Sequence, residues 1–148
     1  MTYEPVEVLL VEDDAADAEL TLRALRKGGM RSSYHLARDG AEALDFLFAG
    51  GEFSHRDPSN GPRLVLLDLH LPRVDGKQVL RRIKADDRTR HIPVVVLTSS
   101  RQDPDIRSCY RLGANSYIVK PVDFDAFSEA VEQVGGYWLS FNEPAPGP

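Results

Sequence analysis

The chain has 148 residues, 42% of them hydrophobic, with one cysteine and a net charge of −5 at an isoelectric point near 5.3. That length supports one domain with its own core and leaves little room for a second. The acidic balance offers no attraction to phosphate backbones or anionic lipid, so neither nucleic acid nor a membrane surface is an expected partner. Cys109 alone excludes an intrachain disulfide or a Cys-based zinc site and fits a reducing cytoplasm. Met1-Thr2-Tyr3-Glu4-Pro5 carries no basic and apolar leader, and no stretch reaches the roughly 18 apolar residues of a membrane span. The sequence therefore predicts a soluble, cytoplasmic protein.

The predicted elements alternate strand and helix. An apolar run from Val6 to Val11 reads as a first strand and ends in Glu12-Asp13-Asp14. Ala18, Leu22 and Leu25 then fall at helical spacing before the glycine stop Gly28-Gly29, with Asp14 as cap. Arg31 to Leu36 is a weaker strand. Asp39-Gly40-Ala41-Glu42 resembles a capping box and opens a second helix through Ala43, Leu44, Leu47 and Phe48, which stops near Gly50-Gly51.

Residues 51–63 are polar and rich in breakers, and predict a long loop without structure of its own. Leu64-Val65-Leu66-Leu67 is a third strand ending on Asp68, with Pro72 and Asp75-Gly76 as turn signals behind it. A third helix follows, with Val79, Leu80 and Ile83 on one face. Lys77, Arg81, Arg82 and Lys84 lie around the other, which reads as a solvated surface.

Val94-Val95-Val96-Leu97 is a fourth strand, ending in Thr98-Ser99-Ser100. Asp103-Pro104 fits a cap with proline at the first helical position, and Ile106, Cys109 and Tyr110 continue that helix. Ser116 to Val119 is a short fifth strand before Lys120-Pro121. Asp123 caps a last helix bearing Phe124, Phe127, Val131 and Val134. Tyr137-Trp138-Leu139-Ser140-Phe141 and a proline-rich, flexible end follow.

Near-continuous apolar strands imply a parallel sheet covered on both faces, and such sheets bind ligands at the carboxyl ends of their strands. Glu12, Asp13 and Asp68 bring carboxylate oxygens to that edge, suited to a hard divalent cation, magnesium first. Thr98 adds a hydroxyl and Lys120 a positive charge. Taken singly, Asp13 reads as a cap, Thr98 as a strand-end hydroxyl, Lys120 as a surface amine and Tyr117 as a half-buried strand aromatic. Together they supply what phosphoryl transfer to an aspartate oxygen needs: a nucleophile at Asp68 and positive charge for the transferring oxygens.

Leu10-Val11-Glu12-Asp13-Asp14, Leu66-Leu67-Asp68-Leu69-His70-Leu71-Pro72 with Asp75-Gly76, Leu97-Thr98-Ser99-Ser100 and Tyr117-Ile118-Val119-Lys120-Pro121 resemble the signature set of two-component response-regulator receiver domains. The resemblance covers residues 6 to about 135. It implies an α/β, flavodoxin-like, doubly wound five-stranded parallel sheet of order 2-1-3-4-5 with five helices in a single domain. It implies that Asp68 accepts phosphate from a sensor histidine kinase. Asp13, Asp68 and the backbone carbonyl of His70 would bind Mg2+, with Glu12 beside them. Thr98 and Lys120 would bind the phosphoryl group, and Tyr117 would be the aromatic switch. Glu12 stands where the family more often has aspartate, and His70 is expected to flank the phosphoryl site, where its side chain either simply faces solvent or bears on the lifetime of the phosphorylated state.

Residues 1–135 thus read as the receiver and 136–148 as an aromatic and proline-rich extension. The loop and the aromatic tail resemble those of stand-alone regulators serving bacterial and cyanobacterial phytochrome kinases. That resemblance implies a homodimer through the face between the fourth and fifth helices and through the tail. The expected role is a signalling switch with only limited self-catalysed phosphotransfer and dephosphorylation. Two alternatives are a phosphoaspartate-dependent hydrolase and an unphosphorylated scaffold. The hydrolase lacks a second carboxylate two residues beyond Asp68, where its general acid would stand. The scaffold leaves the charged set unexplained, and a nucleotide-binding domain lacks a glycine-rich phosphate loop after the first strand.

Overall fold

The computed structural model describes residues 6–30 and 33–146. Five parallel strands, β1 (Val8–Val11), β2 (Tyr34–Ala37), β3 (Leu64–Leu67), β4 (Val94–Thr98) and β5 (Ser116–Val119), form one sheet of order β2-β1-β3-β4-β5. Five helices connect or follow them: α1 (Ala15–Lys27), α2 (Gly40–Phe48), α3 (Gly76–Ala85), α4 (Asp103–Leu112) and α5 (Phe124–Gly136). This is the flavodoxin-like arrangement that the strand-end motifs imply.

Successive strand residues point to opposite faces, so each apolar strand feeds two cores. Leu9, Val11, Val65, Leu67, Val94 and Val96 pack against Ala43, Phe46 and Leu47 of α2, Val79, Leu80 and Ile83 of α3, and Cys109 of α4. Val8, Leu10, Leu64, Leu66, Val95 and Leu97 pack against Ala18, Leu22 and Leu25 of α1 and Phe127 and Val131 of α5. Burying each Val, Leu or Ile contributes roughly 1.5–3 kcal/mol, so the strand ends are held by a stiff frame.

Aspartates cap four helices, three of them as the sequence predicts and the fourth at Asp75, which reads there only as a turn signal. The carboxylates of Asp14, Asp39, Asp75 and Asp123 accept from the backbone N–H groups of Asp17, Glu42, Gln78 and Ala126. Only the forward half of the box forms at α2, because the Glu42 carboxylate instead meets Nε2 of His35 at 3.0 Å. At α4 the cap is Gln102 without a side-chain bond, and Asp103 is already helical. β1 begins at Val8 and β2 at Tyr34, later than the apolar runs suggest; Arg31 lies outside the described residues.

Other departures come from tertiary partners. α2 ends at Phe48 because Ala49 adopts a left-handed conformation (φ 58°), ahead of the glycines. Residues 51–63 are ordered by contacts: a 3-10 turn forms at Gly51–Phe53, and the Arg56 guanidinium lies 3.6 Å from the Phe46 ring centroid while donating to the Phe46 carbonyl. The tail continues α5 as a π-helical turn, Tyr137–Phe141, and Leu139 is buried in the second core. Phe124 and Tyr110, expected on apolar faces, are 57% and 51% exposed. On α3, Arg81 and Arg82 are exposed, but Lys84 is drawn inward to the carbonyls of Arg90 and Ile92 and the side-chain oxygen of Asn115. Pro148 at the end of the proline-rich stretch lies outside the described residues.

Candidate functional site

The carboxyl ends of β1, β3, β4 and β5 bring Glu12, Asp68, Thr98 and Lys120 to one edge. Backbone bonds extend the ladders into these residues: the Glu12 N–H donates to Ala37, the Asp68 N–H to Val11 and the Lys120 N–H to Thr98, at 2.7–3.1 Å. Each functional side chain therefore leaves the sheet from a backbone that is still paired.

Lys120 is the hub. Its Nζ lies 2.5 Å from Glu12 Oε1, 3.0 Å from Asp17 Oδ2 and 3.3 Å from Asp68 Oδ2. An ammonium has three N–H donors, and three carboxylates take them. Burial pulls Lys120 down, but its hydrogen bond to Glu12 and the charges of Asp68 and Glu12 outweigh it and hold the amine well above its ordinary range. Burial acts the other way on Glu12, whose side chain is 4% exposed. With the negative charge of Asp68 added, it is pushed up to about 7 against the pull of Lys120.

Carboxylate oxygens of Glu12, Asp13 and Asp68 lie within 4.8 Å of one another. Three hard oxygen donors in that space suit a divalent cation that retains waters. Four carboxylates with Asp17 face one ammonium, so the edge carries a formal excess of three negative charges. Such an edge favours cation binding.

Thr98 is fully buried and its Oγ1 accepts from the Ser100 N–H at 3.4 Å. Tyr117 is half-buried, and its hydroxyl donates to the Ser100 carbonyl at 3.0 Å. His70 is exposed, and its backbone N–H donates to Asp68 Oδ1 at 3.4 Å. Glu12, Asp13, Asp68 and Lys120 thus meet directly, while Thr98 and Tyr117 meet through Ser100.

Gly76 lets α3 close in behind Asp68. A Cβ there would stand 2.2 Å from the Asp68 carbonyl oxygen and 2.6 Å from Leu69 Cα. Only glycine allows that approach.

Four residues escaped the sequence reading as part of this edge. Asp17 looks there like an ordinary acid in a first helical turn, although it lies one turn beyond the Asp14 cap on the side that faces Lys120. Ser100, Asp105 and Lys77 form a second network: Ser100 Oγ to Asp105 Oδ2 at 2.5 Å, and Lys77 Nζ to Asp105 Oδ1 at 2.6 Å. The Lys77 bond, then that of Ser100, holds Asp105 below the usual carboxylate range. Leu69, His70, Asp75, Lys77 and Asp105 line a hollow of about 190 Å³.

A family model described as response regulator receiver domain matches residues 8–132. The probable methanogenesis regulatory protein FilR2 of Methanothrix harundinacea is 46% identical over 98% of this chain and 90% of its own length. Response regulator Rcp1 of Synechocystis sp. is 37% identical over 91% of this chain and 90% of its own. The crystal structure of the Mn2+-bound form of Rcp1 is similar at a TM-score of 0.87 and 35% identity, covering 95% of this chain and 99% of that one. The phosphorylated cyanobacterial phytochrome response regulator RcpA is similar at a TM-score of 0.87 and 36% identity, covering 95% and 98%.

Proposed function

Because the chain belongs to the response regulator receiver domain family, we propose that Asp68 accepts a phosphoryl group from a sensor histidine kinase. One observation carries this reading: the Asp68 carboxylate, 11% exposed, stands 3.3 Å from the Lys120 ammonium at a sheet edge that also presents Glu12 and Asp13. A buried carboxylate tied to a lysine and left reachable from solvent is a nucleophile with its electrostatic partner in place.

In the proposed step an Asp68 oxygen attacks phosphorus while the bond from phosphorus to the donor imidazole nitrogen breaks. The imidazole leaves with the electron pair and takes a proton from solvent. Lys120 holds its N–H donors toward the transferring oxygens, and the Thr98 hydroxyl donates to one of them. Asp13, Asp68 and the carbonyl of His70, with Glu12 beside them, would hold a divalent cation, magnesium in this proposal, which would supply positive charge against the phosphoryl oxygens. His70 flanks this site and bears on how long the phosphoryl group survives.

Thr98 and Tyr117 share Ser100, so a Thr98 drawn toward the phosphoryl group pulls the loop that Tyr117 holds. The output surface is the α4–β5–α5 face, where Tyr110, Phe124 and Val122 are exposed, with Tyr137 and Phe141 at 51% and 85% in the tail. Apolar side chains so placed fit a homodimer of receivers (residues 1–135) joined also through the extension (136–148). Sedimentation gives a dimer if this is right and a monomer at every concentration if it is wrong. The similarity to the cyanobacterial phytochrome response regulator RcpA supports a phytochrome-type kinase upstream. No helix among the described residues is long and apolar enough to cross a membrane.

The test is incubation with a small phosphodonor and magnesium, read by intact mass. Wild type gains one phosphoryl group and Asp68→Asn gains none. Equal labelling of the two removes Asp68 as the acceptor.

A further inference from the structure

We propose that Asp17 is a positioning residue that restrains Lys120 and so slows phosphorylation of Asp68; this rests on the acceptor reading above. Three distances carry it. Lys120 Nζ lies closest to Glu12, next to Asp17 and farthest from Asp68, at 2.5, 3.0 and 3.3 Å. The ammonium is drawn toward β1 and α1 and away from the carboxylate on which the phosphoryl group arrives.

Asp17 differs from the other two partners in exposure. Its side chain is 38% exposed, against 4% for Glu12 and 11% for Asp68. Releasing Lys120 from Glu12 would leave a buried carboxylate unpaired, whereas a released Asp17 is taken up by water. Asp17 is therefore the partner that competes with an incoming phosphoryl oxygen for a Lys120 N–H. Its position is fixed from below: its N–H donates to Asp14 Oδ1 at 2.9 Å, and its carbonyl accepts from the buried Thr21 hydroxyl at 2.7 Å.

Charge acts in the same direction as geometry. An anionic donor meets Glu12, Asp13, Asp17 and Asp68 with one ammonium among them. Removing the Asp17 charge lowers the formal excess from three to two without touching Glu12, Asp13 or Asp68. At the separations of neighbouring side chains and the effective dielectric of a protein surface, one unit charge changes such an encounter roughly three- to tenfold. An acid in the first turn of α1 also suits the helix dipole, and that role alone predicts lower stability with no change in phosphorylation.

The experiment compares wild type, Asp17→Asn and Asp17→Ala for labelling by a small phosphodonor with magnesium, and for affinity toward beryllofluoride by fluorine NMR. Glu19→Gln is the control: it removes one charge from the same helix, where Glu19 pairs with Arg23 at 2.7 Å. Both Asp17 variants label roughly three- to tenfold faster and bind beryllofluoride correspondingly tighter, while Glu19→Gln matches wild type. Labelled wild type with equal or slower Asp17 variants overturns the role of Asp17 alone. An equal gain in Glu19→Gln also overturns it, by making the effect one of overall charge. Failure of every protein to label overturns the acceptor reading and this role with it.

Discussion

Two lysines stand at opposite edges of the same sheet, both withdrawn from solvent, and their surroundings differ in kind. Lys120, beyond the carboxyl end of β5, is held by the carboxylates of Glu12, Asp17 and Asp68. Lys84, at the end of α3, bonds the Arg90 and Ile92 carbonyls and the Asn115 side chain, just ahead of β4 and β5, at 2.7–3.1 Å. Charged partners raise the first amine above its ordinary range; burial among neutral dipoles lowers the second to about 8. A lysine among carboxylates keeps its proton, and on the proposed function that charge serves an arriving phosphoryl group once its present partners release it, whereas one among carbonyls joins loops.

The largest test of this contrast is to remove each amine. Lys120→Met should slow labelling of Asp68 roughly a hundredfold to a thousandfold, the usual cost of losing one preorganised electrostatic donor. Lys84→Met should label at the wild-type rate. Circular dichroism establishes that both are folded before rates are compared. Wild-type labelling by Lys120→Met would take the amine out of the chemistry and reduce the two lysines to one class.

The two edges also place glycine for different reasons. Gly76 faces fixed backbone, the Asp68 carbonyl oxygen at 2.2 Å from a built Cβ. Gly113 closes α4 at φ +105°, and its nearest neighbour is the flexible Lys84 stem, with Cγ at 2.9 Å. Gly76→Ala should therefore cost about 3 kcal/mol and displace the Asp68 loop. Gly113→Ala should cost about 1–2 kcal/mol through backbone strain alone. Urea unfolding of both variants measures the difference; a smaller loss for Gly76→Ala would mean that α3 can back away from Asp68 freely.

Much of the active edge was legible because apolar strands that end on charged residues report both the sheet and its direction. The runs ending at Glu12, Asp68, Thr98 and Lys120 locate that edge, and the caps Asp14, Asp39 and Asp123 follow from local spacing. Asp17 was not legible as a partner of Lys120, because a pair separated by 103 residues leaves no local periodicity. Lys84 was misread as solvated for a related reason: its helix face looks polar, and only the fold brings Ile92 and Asn115 beneath it. Residues 51–63 carry breakers, yet Arg56 stacks on Phe46 and orders the loop through a contact the loop's own composition does not encode.

The smallest effect separates the lysines by pH. Lys84 has its folded value lowered from 10.5 to about 8, chiefly by burial. Below pH 8 both folded and unfolded chains carry the proton, and the cost of burying the ammonium is fully present. Between about 8 and 10.5 the folded chain has released the proton and the unfolded chain has not, so this group makes stability rise with pH. Partial exposure reduces the gain to on the order of 1–2 kcal/mol. Lys84→Met has no such proton, so wild type should gain on the variant across that window when unfolding is measured at pH 7 and pH 10. Lys120, raised by Glu12 and its neighbours, stays protonated over the same interval and adds no rise of its own. A wild-type advantage that stays flat from pH 7 to 10 would mean that the three oxygens around Lys84 sustain its charge as well as water does. The contrast would then rest on formal charge at the two edges and no longer on burial.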